Sequence, residues 1–418
     1  MKKQVAVIGG GAAGIVAAIT AAREGADVTI FEHTDRLGKK ILSTGNGKCN
    51  LGNLDMDVSC YYSSNPQLVE HCLNKFSTQD TVAFFESLGL YIKEKNGYLY
   101  PMAEQAAVVS DVLRYAVEAW KIKVIYNTNI KRIYEVLNSC GDRSLCVENG
   151  KEKLFFHSVI IACGSKAAPK TGSDGSGYDL AKGLGHDLRP VLPSLVQLRC
   201  KESFCKALAG VRCDAKIHIY DENKHLFEER GELQLTEYGI SGIPVFQLSG
   251  AVNRYLYGKD ETKGNVLQAV IDFMPDADEK DLNNLFEKNI KVKRHDNCTI
   301  EEFFTGFLNK KLTNVLIKNV GLQPGELVSK VSTGQLKKVY QCSKHLKMQI
   351  TESNGFDNAQ VCTGGVDMNQ MTENLESKKV KGIYFAGEIL DVDGRCGGYN
   401  LQWAWTSGYI TGKAAGAY

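Results

Sequence analysis

Four glycine-rich segments hold the residues whose types and spacing could do chemistry: GGGAAG at 9–14, STGNGKCN at 43–50, ACGS at 162–165 and AGEILDVDGRCGGYN at 386–400. The first is the most specific. Gly9, Gly11 and Gly14 form a GxGxxG that follows a short apolar run at 4–8 and opens a small-residue stretch at 12–23. In such a unit the first glycine allows a tight turn, the second lets the backbone approach a pyrophosphate, and the third removes the Cβ that would hold helix and strand apart. Ala12 and Ala13 would begin the helix, whose unpaired N–H groups and dipole favour an anion. Glu32, at the end of the next apolar run, is placed for ribose hydroxyls. A carboxylate there disfavours a 2′-phosphate, so the expected occupant is FAD or NAD rather than NADP.

Glycines in STGNGKCN or GRCGGYN, met alone, would read as turns. Beside the fingerprint they take another meaning, because ligands of doubly wound sheets collect at the carboxyl ends of strands. The four segments are therefore expected to converge on one crevice. No second GxGxxG is followed by a helix and an acid, which favours one large dinucleotide over two nucleotide pockets.

The elements that must position these segments read as an α/β chain. Helices are expected at 67–76, 78–88 and 103–120, a hairpin at Asn96 and Gly97, a sheet strand at 124–126, and a small antiparallel meander over 130–136, 145–148 and 154–157. SVII, just before ACGS, reads as a buried strand. Beyond Pro190 the character changes: VQLRC, DAKIHIYD, KHLFEER and NVLQAVIDF alternate like antiparallel strands, while 279–291 and 334–345 read as helices. The chain then returns with KGIYFAGEILDVDG and a closing helix over 400–415. The expected organisation is a discontinuous dinucleotide-binding domain, 1–190 and 350–418, with an inserted α+β domain at 191–349.

Composition narrows the function classes. Fifty basic and 48 acidic side chains leave a formal charge of +2, which gives no global case for nucleic acid or an anionic membrane. No apolar stretch approaches ~18 residues and the chain enters directly into a strand, so neither a membrane span nor a signal peptide is expected. Thirteen cysteines occur without a CxxC pair or a Cys/His grouping of zinc spacing, the pattern of free thiols in a reducing cytoplasm. Cys72 and Cys163 read as core residues. Cys49 and Cys396 lie inside the glycine motifs and read as packing thiols before a redox pair. None of the eight histidines falls in a catalytic pattern, and no metal is expected. Trp403 and Trp405 read as buried aromatics of the last helix, and Glu237 and Tyr238 as a surface turn or a substrate contact.

Four longer stretches carry a resemblance over nearly the whole chain: LGKKILSTGNGKCN at 37–50, PKTGSDGSGY at 169–178, GELQLTEYGISGIPVFQLS at 231–249 and GIYFAGEILDVDGRCGGYNLQWAWTSG at 382–408. In these the sequence resembles the YhiN/BaiN-like family of FAD-dependent oxidoreductases. The resemblance implies a glutathione-reductase-like, Rossmann-type FAD domain with an insert, and noncovalent FAD. Carried over by position, Gly9, Gly11, Gly14 and Glu32 would hold the ADP half, with the backbone of Ile130 at the adenine. Lys40, Thr44, Gly45, Asn46, Lys48, Cys49 and Asn50 would approach the pyrophosphate and flavin side, with Gly164 at a neighbouring strand end. Gly387, Glu388 and Asp393 would lie near the ribitol, and Gly398, Asn400 and Leu401 near the isoalloxazine. Two positions depart from the family pattern: Lys48 stands where many members have arginine, and ACGS replaces the commoner Ala-Thr-Gly-Gly.

Arg395 and Tyr399 flank the expected flavin turn and are the candidates for orienting or protonating a substrate. The implied activity is reduction of a C=C bond conjugated to a carbonyl in a steroid or bile-acid-like enone, with NADH or NADPH as electron donor and the insert forming an apolar pocket for a small-molecule substrate. The rivals are an amine oxidase of the aminoacetone type and a nucleic-acid-associated flavoprotein. Near-neutral charge and the lack of an aromatic–basic motif argue against the last.

Overall fold

The apolar run Gln4–Ile8 is a buried strand in the computed structural model, which describes residues 2–137, 143–258, 266–293 and 297–417. It pairs in parallel with Asp27–Phe31 on one side and Ser158–Ile161 on the other. Lys123–Ile125 and Ile383–Phe385 complete a five-stranded parallel sheet, whose order places the last strand at one edge and 123–125 at the other. Such a sheet needs both faces covered, which is why its strands are rich in Val and Ile with no polar alternation.

One covering layer is a helix pair. Ala12–Arg23 is buried along nearly its whole length, and Tyr399–Gly416 packs against it. The approach is close because Gly408, Gly412 and Gly416 recur one turn apart. A Cβ at Gly408 would stand 2.4 Å from the Ala13 carbonyl oxygen, and one at Gly412 2.4 Å from that of Ala17.

Around this core sit the helices Pro66–Lys75, Thr78–Ser87 and Ala106–Ala119. Ile92–Lys95 and Tyr98–Pro101 form a hairpin whose two turn residues, Asn96 and Gly97, both have positive φ, and Gly52–Asn53 joins as a third strand. Arg132–Leu137, Arg143–Glu148 and Lys153–Phe156 form an antiparallel meander. Cys140 lies outside the described residues.

The chain divides into two compact units, Met1–Pro193 with Phe356–Tyr418, and Ser194–Gly355. In the second, the strands Leu198–Cys200, Gly239–Gly242, Lys224–Thr236, Arg212–Asp221, Leu267–Asp272 and Leu346–Ser353 close into an antiparallel barrel in that order. Ala215, Ile217, Ile219, Leu233, Leu235 and Ile271 fill it. Asn265, at the head of NVLQAVIDF, lies outside the described residues. A reading by alternation finds four of these strands but neither Gly239–Gly242 nor Leu346–Ser353, and so not the closure. Nor does it find the helix Ile243–Tyr257, which starts where Gly242, at φ +100, ends a strand and Pro244 occupies the first helical turn. Glu237 and Tyr238 form the turn between the strands Lys224–Thr236 and Gly239–Gly242.

Candidate functional site

The fingerprint positions a cradle by close backbone contact. Gly9 has φ +102, and a Cβ there would lie 2.5 Å from the Ala162 oxygen; one at Gly14 would lie 2.0 Å from the Gly9 oxygen. Gly11 differs. It is the N-cap of Ala12–Arg23, offers no side-chain cap, and a Cβ on it would meet no protein atom within 4 Å. The first-turn amides thus have no internal acceptor and face an open approach, which suits a pyrophosphate.

Glu32 is buried at the end of its strand. One carboxylate oxygen accepts from the Gly10 amide and the other from the Thr34 amide, each at 2.7 Å. Each oxygen keeps acceptor capacity for a hydroxyl donor such as a ribose. The Thr128 amide donates to the Glu32 carbonyl at 3.0 Å, bringing the segment that leads to buried Ile130 beside this acid.

The other segments meet the cradle through named bonds. The Gly38 amide donates to the Gly10 carbonyl at 2.8 Å. Lys40 Nζ reaches Glu388 at 2.6 Å, and Ser165 Oγ donates to the same carboxylate oxygen at 3.2 Å, so three segments share one ion pair. Gly164 has φ +74 and stands against Ser173, while a Cβ at Gly387 would be 2.8 Å from that of Ala13. The Gly387 amide donates to Ser407 Oγ at 2.9 Å. Asp393 lies buried in a short strand paired with Tyr61–Ser63. At the start of the closing helix, Gly398 has φ +95 and packs on the backbone of Gly52, and half-buried Leu401 follows.

The loop at 43–50 is a run of unusual backbone: Gly45, Asn46, Gly47 and Cys49 all have positive φ. Thr44 Oγ1 donates to the Ile41 carbonyl at 2.6 Å, and the Cys49 amide to the Thr44 carbonyl at 3.0 Å. This fold-back buries Asn50, whose side-chain oxygen has no hydrogen-bond partner in the protein. A buried orphan acceptor beside a glycine cradle fits a polar cofactor edge. Gln402, which the sequence reading did not single out, has the same property: its nitrogen donates to Thr81 and Thr406 while its oxygen is unpartnered. In the sequence it is one of several polar residues of the closing helix, beside Asn400, Thr406 and Ser407, and nothing local sets it apart.

Two expected contacts are placed differently. Lys48 is half exposed and pairs with Glu104 at 2.7 Å, an acid that also binds Lys93 at 2.6 Å; the two ammonium groups hold the Glu104 carboxyl down to about 2. The charge of Lys48 is thus engaged by Glu104. The Asn400 side chain is also engaged, accepting from the Gly394 amide and donating to the Gly394 carbonyl, both at 2.8 Å, so it holds the turn at Gly394.

Of the proton-transfer candidates, Tyr399 is buried and its hydroxyl donates to the Asp55 carbonyl at 3.0 Å. Tyr61 packs edge-on against it, ring centroids 5.9 Å apart, and donates to the Tyr399 carbonyl at 2.9 Å. Burial pushes both phenols up, so both keep their protons at neutral pH. Arg395 is exposed, and its amide donates to the Cys60 carbonyl at 2.9 Å. The thiols of Cys49, Cys163 and Cys396 are each pushed up to about 12 by burial, the environment of inert packing residues. Trp403 and Trp405 are fully buried and donate to the carbonyls of Gly387 and Leu51. No helix among the described residues is long and apolar enough to cross a membrane.

Comparison with known proteins places this site in context. A family model described as HI0933-like protein Rossmann domain matches residues 3–414. The 3-dehydro-bile acid delta(4,6)-reductase of Clostridium scindens is 41% identical over 416 residues, 99% of this chain and 98% of that protein. The ribosomal RNA dihydrouridine synthase of Haemophilus influenzae is 28% identical over 408 residues, 96% of each chain. That of Escherichia coli is 28% identical over 410 residues, covering 96% and 95%. Among solved structures, the 3-ketosteroid delta1-dehydrogenase from Sterolibacterium denitrificans, in complex with 1,4-androstadiene-3,17-dione, aligns over 99% of this chain and 100% of its own. Its TM-score is 0.51 at 11% identity, a likeness of fold alone.

Proposed function

The chain belongs to the HI0933-like Rossmann-domain family of FAD-dependent oxidoreductases, and from that premise we propose that it saturates a C=C bond conjugated to a ketone in a substrate of the 3-oxo steroid or bile-acid class, with NADH or NADPH as electron source. The observation that supports this most is full-length identity of 41% to a protein named for delta(4,6) reduction of a 3-dehydro-bile acid. FAD, when bound, supplies the hydride chemistry that side chains lack.

The protein's own groups bind, orient and hold protons. Gly9, Gly11 and Gly14 with the first-turn amides of Ala12–Arg23 would receive the pyrophosphate, and Glu32 the ribose. The orphan oxygen of Asn50, in the glycine-rich loop, would accept from a cofactor N–H or O–H group. Tyr399 keeps its proton at neutral pH and would protonate the substrate α-carbon by exchanging its acceptor, the Asp55 carbonyl, for the substrate. Exposed Arg395 would orient a carbonyl or carboxylate of the substrate.

A second reading has support in the 28% identity to ribosomal RNA dihydrouridine synthases. Dihydrouridine is uridine with two hydrogens added across a ring C=C conjugated to a carbonyl, so both names describe the same type of bond reduction. The weaker identity and the near-balanced charge favour the small apolar substrate.

The test is anaerobic. Enzyme reduced by NADH or NADPH is mixed with a 3-oxo bile acid unsaturated at C4 or at C4 and C6, and flavin absorbance and product mass are followed. Reoxidation with a product heavier by two hydrogens is expected. Reoxidation by uridine-containing ribosomal RNA instead would move the assignment to the second reading. Reduction of the flavin by aminoacetone, with peroxide formed in air, would overturn both.

A further inference from the structure

The hairpin of the barrel unit brings together three groups that sequence spacing does not advertise. His218 lies in Arg212–Asp221, and His225 and Glu228 lie in the partner strand Lys224–Thr236. His218 Nδ1 is 3.1 Å from Glu228 Oε2 and 3.4 Å from His225 Nε2, and the last two atoms are 3.5 Å apart. Three atoms able to present lone pairs form one small triangle. Ligand atoms at about 2.0–2.2 Å from a tetrahedral zinc ion stand roughly 3.3–3.6 Å from one another, so the triangle has nearly the size of one face of that tetrahedron.

The backbone explains how the triangle arises. His218 sits directly opposite Glu228 in the antiparallel register. With the register continued unbroken, the next residue of that face, Tyr220, would oppose Leu226, and His225 would point to the other face. A bulge between Ile219 and Tyr220 shifts the pairing so that Tyr220 opposes His225, which turns the His225 ring onto the face of His218 and Glu228. That face is the outer one, since Ile217 and Ile219 point into the barrel core. Lys216 binds the other carboxylate oxygen, Glu228 Oε1, at 2.7 Å, which leaves Oε2 directed at the imidazoles.

We propose that His218, His225 and Glu228 form a site for a divalent transition-metal ion of the zinc class, with the fourth position left to water. Binding requires His218 to carry its proton on Nε2 and His225 on Nδ1, so that Nδ1 and Nε2 respectively donate lone pairs to the ion. Two neutral imidazoles and one carboxylate suit Zn(II), Cu(II) or Ni(II) and are a poor match to Mg(II) or Ca(II), which take oxygen ligands. The test of this site reads metal binding and not activity.

The flavin-loaded protein, with its thiols blocked by alkylation, is titrated with ZnCl2 by calorimetry and with CuCl2 by electron paramagnetic resonance. One saturable Zn(II) per chain is expected, with nitrogen hyperfine structure from two imidazoles in the Cu(II) spectrum. His225→Ala, an exposed change that leaves the barrel core intact, should weaken Zn(II) at least about tenfold and reduce the spectrum to one nitrogen; Glu228→Gln should weaken Zn(II) without removing a nitrogen. Absence of saturable binding, or identical affinity and spectra in wild type and His225→Ala, overturns the assignment.

Discussion

At the scale of single residues, two glycines of the same fingerprint separate binding from folding. A Cβ at Gly11 meets nothing in the protein, and its φ of −82° suits any residue. Gly11→Val should therefore leave the chain folded while blocking the approach of the pyrophosphate. A Cβ at Gly14 would collide with the Gly9 carbonyl at 2.0 Å, so Gly14→Val should cost the fold as well. Circular dichroism together with flavin retained after desalting distinguishes the two; wild-type FAD content in Gly11→Val would remove the phosphate-cradle assignment. Tyr399→Phe is the companion test of chemistry. It deletes the donor to the Asp55 carbonyl, a loss of about 1 kcal/mol of stability, while leaving the ring against Tyr61. If the phenol supplies the proton, kcat for enone reduction should fall roughly 10²-fold with KM little changed. An unchanged kcat would hand the proton to water.

Elements raise the question of what local sequence can encode. The crossover from Gln4 to Glu32 was legible because every part of it is local: apolar run, glycine turn, small-residue helix, acid. The Asn96–Gly97 hairpin was legible for the same reason. Barrel closure was not, since it depends on Leu198–Cys200 finding Leu346–Ser353 across the whole insert, and no periodicity within either strand reports a partner that distant. Lys48 was carried to the cofactor by resemblance, yet Glu104, far along the chain, holds its charge. The triangle of His218, His225 and Glu228 is not legible in the sequence because a single bulged residue decides which face His225 occupies. The helix pair gives a prediction at this scale. Gly→Ala within a helix ordinarily stabilises by up to about 1 kcal/mol. At Gly412 the new methyl would stand 2.4 Å from the Ala17 carbonyl and push the two helices apart, so Gly412→Ala should destabilise by about 1–3 kcal/mol in urea. Gly183, at the end of Ser176–Gly183 with no atom near its absent Cβ, is the control and should be neutral or stabilising when made alanine. Equal effects at the two sites would mean that close helix contact is not what the glycines serve.

For the whole molecule, the deciding quantity between the two substrate classes is charge. A protein that binds RNA gains most of its affinity by neutralising phosphates, and one making six to ten such contacts loses about 10³–10⁵ in affinity between 50 and 200 mM salt. This chain has 50 basic and 48 acidic side chains, and many of its cations are already paired within the structure, among them Lys40 with Glu388, Lys48 and Lys93 with Glu104, and Arg230 with Asp214 and Asp276. The formal charge of +2 offers a polyanion no global excess of positive charge. A 3-oxo bile acid, by contrast, brings at most one carboxylate and binds mainly by burying apolar area, which salt leaves intact or strengthens. The two readings thus predict opposite salt behaviour for the same enzyme. KM for the enone should be nearly constant from 50 to 200 mM salt, and fluorescence anisotropy with a labelled uridine-rich ribosomal RNA fragment should show weak association at 50 mM that is gone at 200 mM. Tight RNA binding that survives 200 mM salt would require a built nucleic-acid surface, and would shift the assignment from the bile-acid enone to the uridine ring.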